Sequence, residues 1–165
     1  MISNGVSNVP GIESNRIEYK REIDKGDKLE KALVSFLNYN GGGEIYIGIA
    51  DDGSVFGISD ADGDQRKIAD RLGNNIRPKI LGLFDVIVEK AEGKNIIRIV
   101  VSSGMQKPYY IRKKGITPQG CFIRVSVRAF MLVFYNALLL LIIHEYLPNN
   151  SVNGGFEFAL QPLSL

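Results

Sequence analysis

The chain has 165 residues, 45% of them hydrophobic and 23% charged, the balance of one folded domain and not of a disordered segment. Cys121 is the single cysteine, which excludes an intrachain disulfide and leaves a small buried residue as its expected role. The formal charge of +2 conceals a division: residues 1–93 hold 12 basic and 16 acidic side chains, whereas residues 94–144 hold 8 basic ones and no acid. That acid-free stretch either attracts a polyanion or forms a solvated basic face.

Residues 1–12 are polar and lack an apolar run, so a flexible leader without a signal peptide is expected, with a cytoplasmic location as the default. From Arg16 to Glu22 apolar and polar residues alternate, with Ile17 and Tyr19 set against Glu18 and Lys20, the period of a half-buried strand. Asp24 to Asp27 break that run and offer a helix N-cap. Leu29, Ala32, Leu33, Phe36 and Leu37 then recur at helical spacing and predict an amphipathic helix over Lys28 to Asn38, closed by Gly41-Gly42-Gly43 in the left-handed C-cap conformation.

Glu44 to Ala50 is an apolar, β-branched run ending in Asp51-Asp52-Gly53, a hairpin turn with Ser54 to Gly57 returning. Asp60 to Asp64 supply caps for a second helix over about Gln65 to Asn75, which Pro78 ends. Phe84 to Ala91 and Asn95 to Val101 alternate around Glu92-Gly93-Lys94 and predict a second hairpin. Tyr109 to Arg112 and Cys121 to Val125 are shorter strand candidates around a Lys113-Lys114-Gly115 turn.

Ala129 to Ile143 is almost continuously apolar, but its 15 residues fall short of the roughly 20 that a membrane span needs. An apolar helix over 127–146 is therefore predicted, buried or facing a partner, with a homodimer as the contact it suggests. Beyond it an irregular tail follows. His144 has no partner at ligand spacing and is expected to be a plain core or surface histidine. The fold class predicted is α+β: a mixed sheet built largely of hairpins with two packed helices, plus the apolar C-terminal helix.

In order along the chain stand Glu13 and Glu18-Tyr19-Lys20, the helix exit Ser35-Phe36-Leu37-Asn38, the segment Gly41 to Gly57, then Ile76-Arg77-Pro78. Lys107-Pro108-Tyr109-Tyr110 and Phe122-Ile123-Arg124-Val125 follow. Each piece alone is weak, but the ordered set resembles the Schlafen-type AlbA domain, over residues 13–125. That family shows an E-x-x-x-x-E-F/Y-K entry, an A-F-x-N-x-x-G-G helix exit and an I-G-V/I-x-D-D/N-G hairpin. Two departures follow: Ser126 stands where the family has glycine, and Val127-Arg128-Ala129 replaces the Ser/Thr-rich continuation. Residues 126–165 are accordingly expected to be a divergent segment, from a shifted reading frame or a lineage-specific helix.

The resemblance implies a nucleic-acid-binding module, DNA-binding and regulator-like, of a bacterial type. It needs no cofactor to bind DNA or RNA. In eukaryotic relatives, acids at the matching positions form a metal-dependent endoribonuclease site. By that carry-over Glu13, Glu18 and Asp51 are the catalytic and metal-holding candidates, with Mg²⁺ or Mn²⁺ orienting a water against a phosphodiester. The plainer alternative makes Glu18 a partner of Lys20 and Asp51-Asp52-Gly53 ordinary turn chemistry. A third reading is a truncated, non-catalytic remnant whose apolar helix makes protein contacts. The nucleic-acid-binding candidates are Lys107, Arg112, Lys113, Lys114 and Arg124, whose cations would neutralise phosphates, interleaved with Tyr109, Tyr110 and Phe122. Alternation puts Tyr109 and Ile111 on one face and Tyr110 and Arg112 on the other, so at most one tyrosine joins the cations. Gly41-Gly42-Gly43 follows a helix and lacks a Gly-Lys-Ser/Thr, so it does not read as a phosphate loop.

Overall fold

The structure, a computed structural model, describes residues 13–125 and 128–131. Along the chain run β1 (Ile17–Lys20), α1 (Lys28–Asn38), β2 (Gly43–Ile47), α2 (Ala61–Asn75), β3 (Ile76–Arg77), β4 (Phe84–Ala91), β5 (Lys94–Val101), β6 (Tyr110–Ile111), β7 (Phe122–Val125) and β8 (Arg128–Met131). Four strands form a mixed sheet in the order β1-β2-β5-β4. Its β1–β2 pair is parallel and its other pairs antiparallel. Parallel neighbours need a crossover, and α1 supplies it. The expected α+β class with a mixed sheet and two helices is what the described residues form. Smaller pairs, β3–β6 and β7–β8, flank the sheet.

Period-two alternation divides the sheet. Ile45 and Ile47 of β2 and Ile97, Ile99 and Val101 of β5 face α1, whose Leu29, Leu33, Phe36 and Leu37 are almost wholly buried. Their alternates turn to the other face, where Tyr19 meets Tyr46 edge-on at 6.0 Å between centroids. There Arg98 bridges Glu44 at 2.5 Å and Glu89 at 3.2 Å. That second face thus sets two carboxylates against one guanidinium.

Burial around α1 extends well beyond one stripe: Glu30, Ser35 and Asn38 are buried along with the apolar positions. The far side of the helix is covered by β6 and β7, and Asn38 makes the join. Its amide donates to the carbonyls of Tyr109 (3.0 Å) and Phe122 (2.8 Å), and its oxygen accepts the Tyr109 N–H at 2.8 Å. A buried amide thus satisfies three backbone groups at the edges of two short strands.

Three expectations shift. Tyr39, not a glycine, ends α1 by turning to an extended conformation (φ −88°, ψ 136°). Glycine is required further on: Gly42 adopts φ +60°, and a Cβ there would lie 2.3 Å from the Val101 carbonyl. The second helix starts four residues earlier than predicted, because the Asp60 carboxylate accepts the Gly63 N–H at 3.1 Å and caps it. At the other end, residues 128–131 lie within the helix predicted over 127–146, yet they form β8, antiparallel to β7 with Val125 opposite Arg128. The rest of that helix, its homodimer contact and His144 lie outside the described residues. Among those described, no helix is long and apolar enough to cross a membrane.

Removing the Asn38 amide leaves the Tyr109 N–H and two carbonyls unpaired in the core. Asn38→Ala should therefore lower the unfolding free energy by about 3 kcal/mol, read from urea denaturation. A loss below about 1 kcal/mol would show that water takes over those bonds.

Candidate functional site

The acidic candidates do not assemble as a metal centre. Glu18 lies on the α1 side of β1, where its Oε1 accepts from Lys20 Nζ at 2.9 Å and its Oε2 is bonded by Arg124. Burial opposes ionisation of Glu18, but the Lys20 and Arg124 cations outweigh it and hold the carboxyl below its ordinary value of 4.5. Glu13 spends Oε1 on the Tyr19 N–H at 2.7 Å, on the side of β1 away from β2. Asp51 is exposed in the turn that Ala50 closes by accepting the Gly53 N–H at 2.8 Å. Among the described residues no group of three or more Asp, Glu, His or Cys side chains is arranged to hold a metal ion. A divalent ion bound at Glu18 would have to displace two protein cations from its carboxylate. The donor set as it stands does not fit Mg²⁺ or Mn²⁺.

Arg124, expected as a phosphate contact, is a correction. Its side chain is fully buried: besides Glu18 it donates to the carbonyls of Ser14 (2.9 Å) and Ile17 (3.2 Å) and lies 4.9 Å over the Phe36 ring. Three elements distant in sequence meet on one guanidinium. Cys121 is buried, as expected, and desolvation pushes its thiol up to about 11, so it stays protonated at neutral pH.

The remaining basic candidates divide. Lys114 bonds Asp27, whose other oxygen faces Lys31 at 3.3 Å; the Lys114 bond, with Lys31 behind it, holds the Asp27 carboxyl below its ordinary 3.8. Lys107 Nζ donates to Asn40 Oδ1 at 2.6 Å. By contrast, Arg112 and Lys113 are exposed and form no ion pair among the described residues. Tyr109 and Ile111 are buried while Tyr110 is only half-buried, as the alternation required.

Local folding fixes where these two cations stand. β6 pairs with β3, the Arg112 N–H donates to the Asn75 carbonyl at 2.7 Å, and Gly115 turns the chain at φ +66°. The Lys114–Asp27 pair then brings the turn against the loop ahead of α1. That loop is gripped from its other side by Arg71, which donates to the carbonyls of Asp24 (2.7 Å) and Gly26 (2.5 Å). Arg71 also holds the buried Glu30 through both carboxylate oxygens, at 2.8 and 2.6 Å. The result is one corner with exposed Lys25, Lys28, Arg112 and Lys113. Of its acids, Asp27 and Glu30 are matched by Lys31, Lys114 and Arg71, while Asp24 accepts the Lys28 N–H at 3.2 Å. Lys25 and Lys28 escape sequence reasoning because the acid-rich first half masks them.

The model of the family described as Schlafen, AlbA_2 matches residues 13–129. Among solved structures, the fold is similar to that of the DIP2311 protein from Corynebacterium diphtheriae. The TM-score is 0.52 at 19% identity, covering 72% of this chain and 25% of that one. A likeness at that identity concerns the fold alone, and the chain spans about a quarter of that protein's length. No curated protein matches the chain.

Two outcomes follow for Glu18. Its folded-state value lies below the unfolded 4.5, so its contribution to stability is complete above 4.5 and is lost as pH falls through the lowered value. Glu18→Gln should be less stable than the wild type at neutral pH, and the gap should narrow on acidification; a gap independent of pH would mean that charge is not what Glu18 supplies. Separately, Mg²⁺ or Mn²⁺ should leave the wild-type melting temperature unmoved, whereas an ion bound to the folded state raises it with concentration.

Proposed function

The chain belongs to the Schlafen AlbA_2 family, and from that premise we propose that it is a nucleic-acid-binding module, DNA-binding and regulator-like, acting through its basic corner. The observation that carries the reading is the pairing pattern just described. Cations with carboxylate partners hold the loops in place, and Arg112, Lys113, Lys25 and Lys28 remain exposed beside them. Phosphates meeting such a surface release counterions, which supplies affinity without sequence preference. The exposed row of α2, Asp62, Arg66, Asp70 and Asn74, carries two acids that would repel phosphates, so backbone contact at the corner is the mode proposed.

The nuclease reading would need Glu13, Glu18 and Asp51 to rearrange around an ion, and the Arg124–Glu18 pair speaks against it. The remnant reading rests on residues outside those described.

Within the binding reading, Lys113 and Lys114 have different tasks. Lys113→Glu should weaken oligonucleotide binding and flatten the plot of log affinity against log salt by about 0.7 to 0.9 for each phosphate contact removed. Lys114→Glu should instead place like charges together at Asp27 and lower the melting temperature. Anisotropy titrations at several salt concentrations with paired melting curves separate the two; equal loss of affinity with no change in melting for either variant would refute the division.

A further inference from the structure

Beside the basic corner lies a cleft of about 520 Å³, bounded by residues 21–25, by Gly57–Ser59 and by the Asp64–Arg71 stretch of α2. Its volume suits a small ligand or one unit of a chain molecule. The wall at 57–59 is built deliberately by glycine geometry. Phe56 and Gly57 both donate to the Gly48 carbonyl, at 2.8 and 3.0 Å, while Gly48 (φ +98°) and Gly57 (φ +83°) let the segment cross the end of β2. Ile47 and Ile68 are buried in the floor, and Ile23 and Ile58 lie beside them, half-buried.

At the mouth, Arg21 stacks its guanidinium 3.7 Å over the ring of Phe56, which is itself 45% exposed. Neither Arg21 nor Lys25 forms an ion pair among the described residues. Lys67 is held by Asp64 and Asp60, and Arg71 by Glu30, so the rim offers anion-binding capacity at Arg21 and Lys25. The acids in the lining, Glu22, Asp24 and Asp64, oppose a dense run of phosphates across the cleft itself. An apolar floor, the Arg21 guanidinium stacked on Phe56 and the exposed Lys25 at the edge are the recognition elements for a flat ring carrying a flanking phosphate.

The cleft is also continuous with the corner. Lys25 lines it, and the same loop three residues on carries Lys28 and the Asp27 that binds Lys114. Resting on the nucleic-acid reading above, we propose that this cleft takes one unstacked base of a single-stranded nucleic acid, whose backbone runs past Arg21 and Lys25 to Arg112 and Lys113. A duplex, whose bases remain stacked, engages the corner alone.

The full chain is titrated with a single-stranded oligonucleotide containing 4-thiouracil, with the matching duplex, and with 4-thiouridine monophosphate, then irradiated and mapped by mass spectrometry. Cross-links are expected within 21–25 or 57–59. Arg21→Glu, an exposed position whose melting curve verifies folding, should weaken the single strand by roughly tenfold, the effect of losing one stacked base and its phosphate, while leaving duplex affinity unchanged. If Lys113→Glu weakens the strand but Arg21→Glu does not, and cross-links stay within 112–114, the cleft inference is overturned and the nucleic-acid reading stands. If neither strand nor duplex binds at any salt, both fall. If 4-thiouridine monophosphate labels the cleft and the strand does no better, the cleft is a free-nucleotide site and the single-strand inference is wrong.

Discussion

The contact on which most of this structure depends is the buried Arg124 and the carboxylate it meets. A guanidinium removed from water is tolerable only when matched in charge and in hydrogen bonds. Glu18 supplies the charge, while the Ser14 and Ile17 carbonyls supply further acceptors. These partners come from residues ahead of β1 and from β1 itself, while Arg124 stands on β7. The bonds of its two terminal nitrogens therefore close the domain, with α1 enclosed between the sheet on one side and β6 and β7 on the other. The same bonds cover the exposed edge of β1, where the Glu13 carboxylate also takes the Tyr19 N–H. An open strand edge would otherwise invite pairing with another chain.

This constraint explains which parts were legible from sequence. Helix α1 and the β4–β5 hairpin were, because their periodicity and turn chemistry are local: Lys28–Asn38 and Phe84–Ala91 fall where the pattern puts them. The return of the first hairpin was only half legible. Val55 makes a single bridge with Ile49, and the chain then crosses away at Gly57. Among the site residues, Arg112 and Lys113 could be read as exposed from their place at a turn. Arg124 and Lys114 could not, since their partners lie 106 and 87 residues away and nothing in the local pattern distinguishes a cation that faces a phosphate from one that faces Glu18 or Asp27. Asn38 belongs to the same class: its motif position was visible, but the two strands that it joins were not.

The division of charge along the chain becomes, in three dimensions, a division between faces. On the outer sheet face Glu44 and Glu89 flank Arg98, and the Tyr46 hydroxyl donates to Glu44 at 2.6 Å. Burial and the Glu44 carboxylate both raise the Tyr46 phenol above its ordinary value, so it stays protonated. With two carboxylates to one guanidinium, that face is acidic. At the corner Asp27 and Glu30 are consumed internally, whereas Lys25, Lys28, Arg112 and Lys113 reach solvent. A net charge of +2 would not suggest a polyanion site; its spatial arrangement does.

The loop from Asp24 to Lys28 is held twice, by Arg71 at its backbone and by Lys114 at the Asp27 side chain. Surface lysines ordinarily sample many positions, and a ligand that fixes them loses part of its affinity to that ordering. Here the backbone beneath Lys25 and Lys28 is already fixed relative to the turn bearing Arg112 and Lys113, so only the side chains remain for a partner to order. For the binding proposed at this corner, the ordering cost that a mobile loop would add is thereby removed by the fold itself.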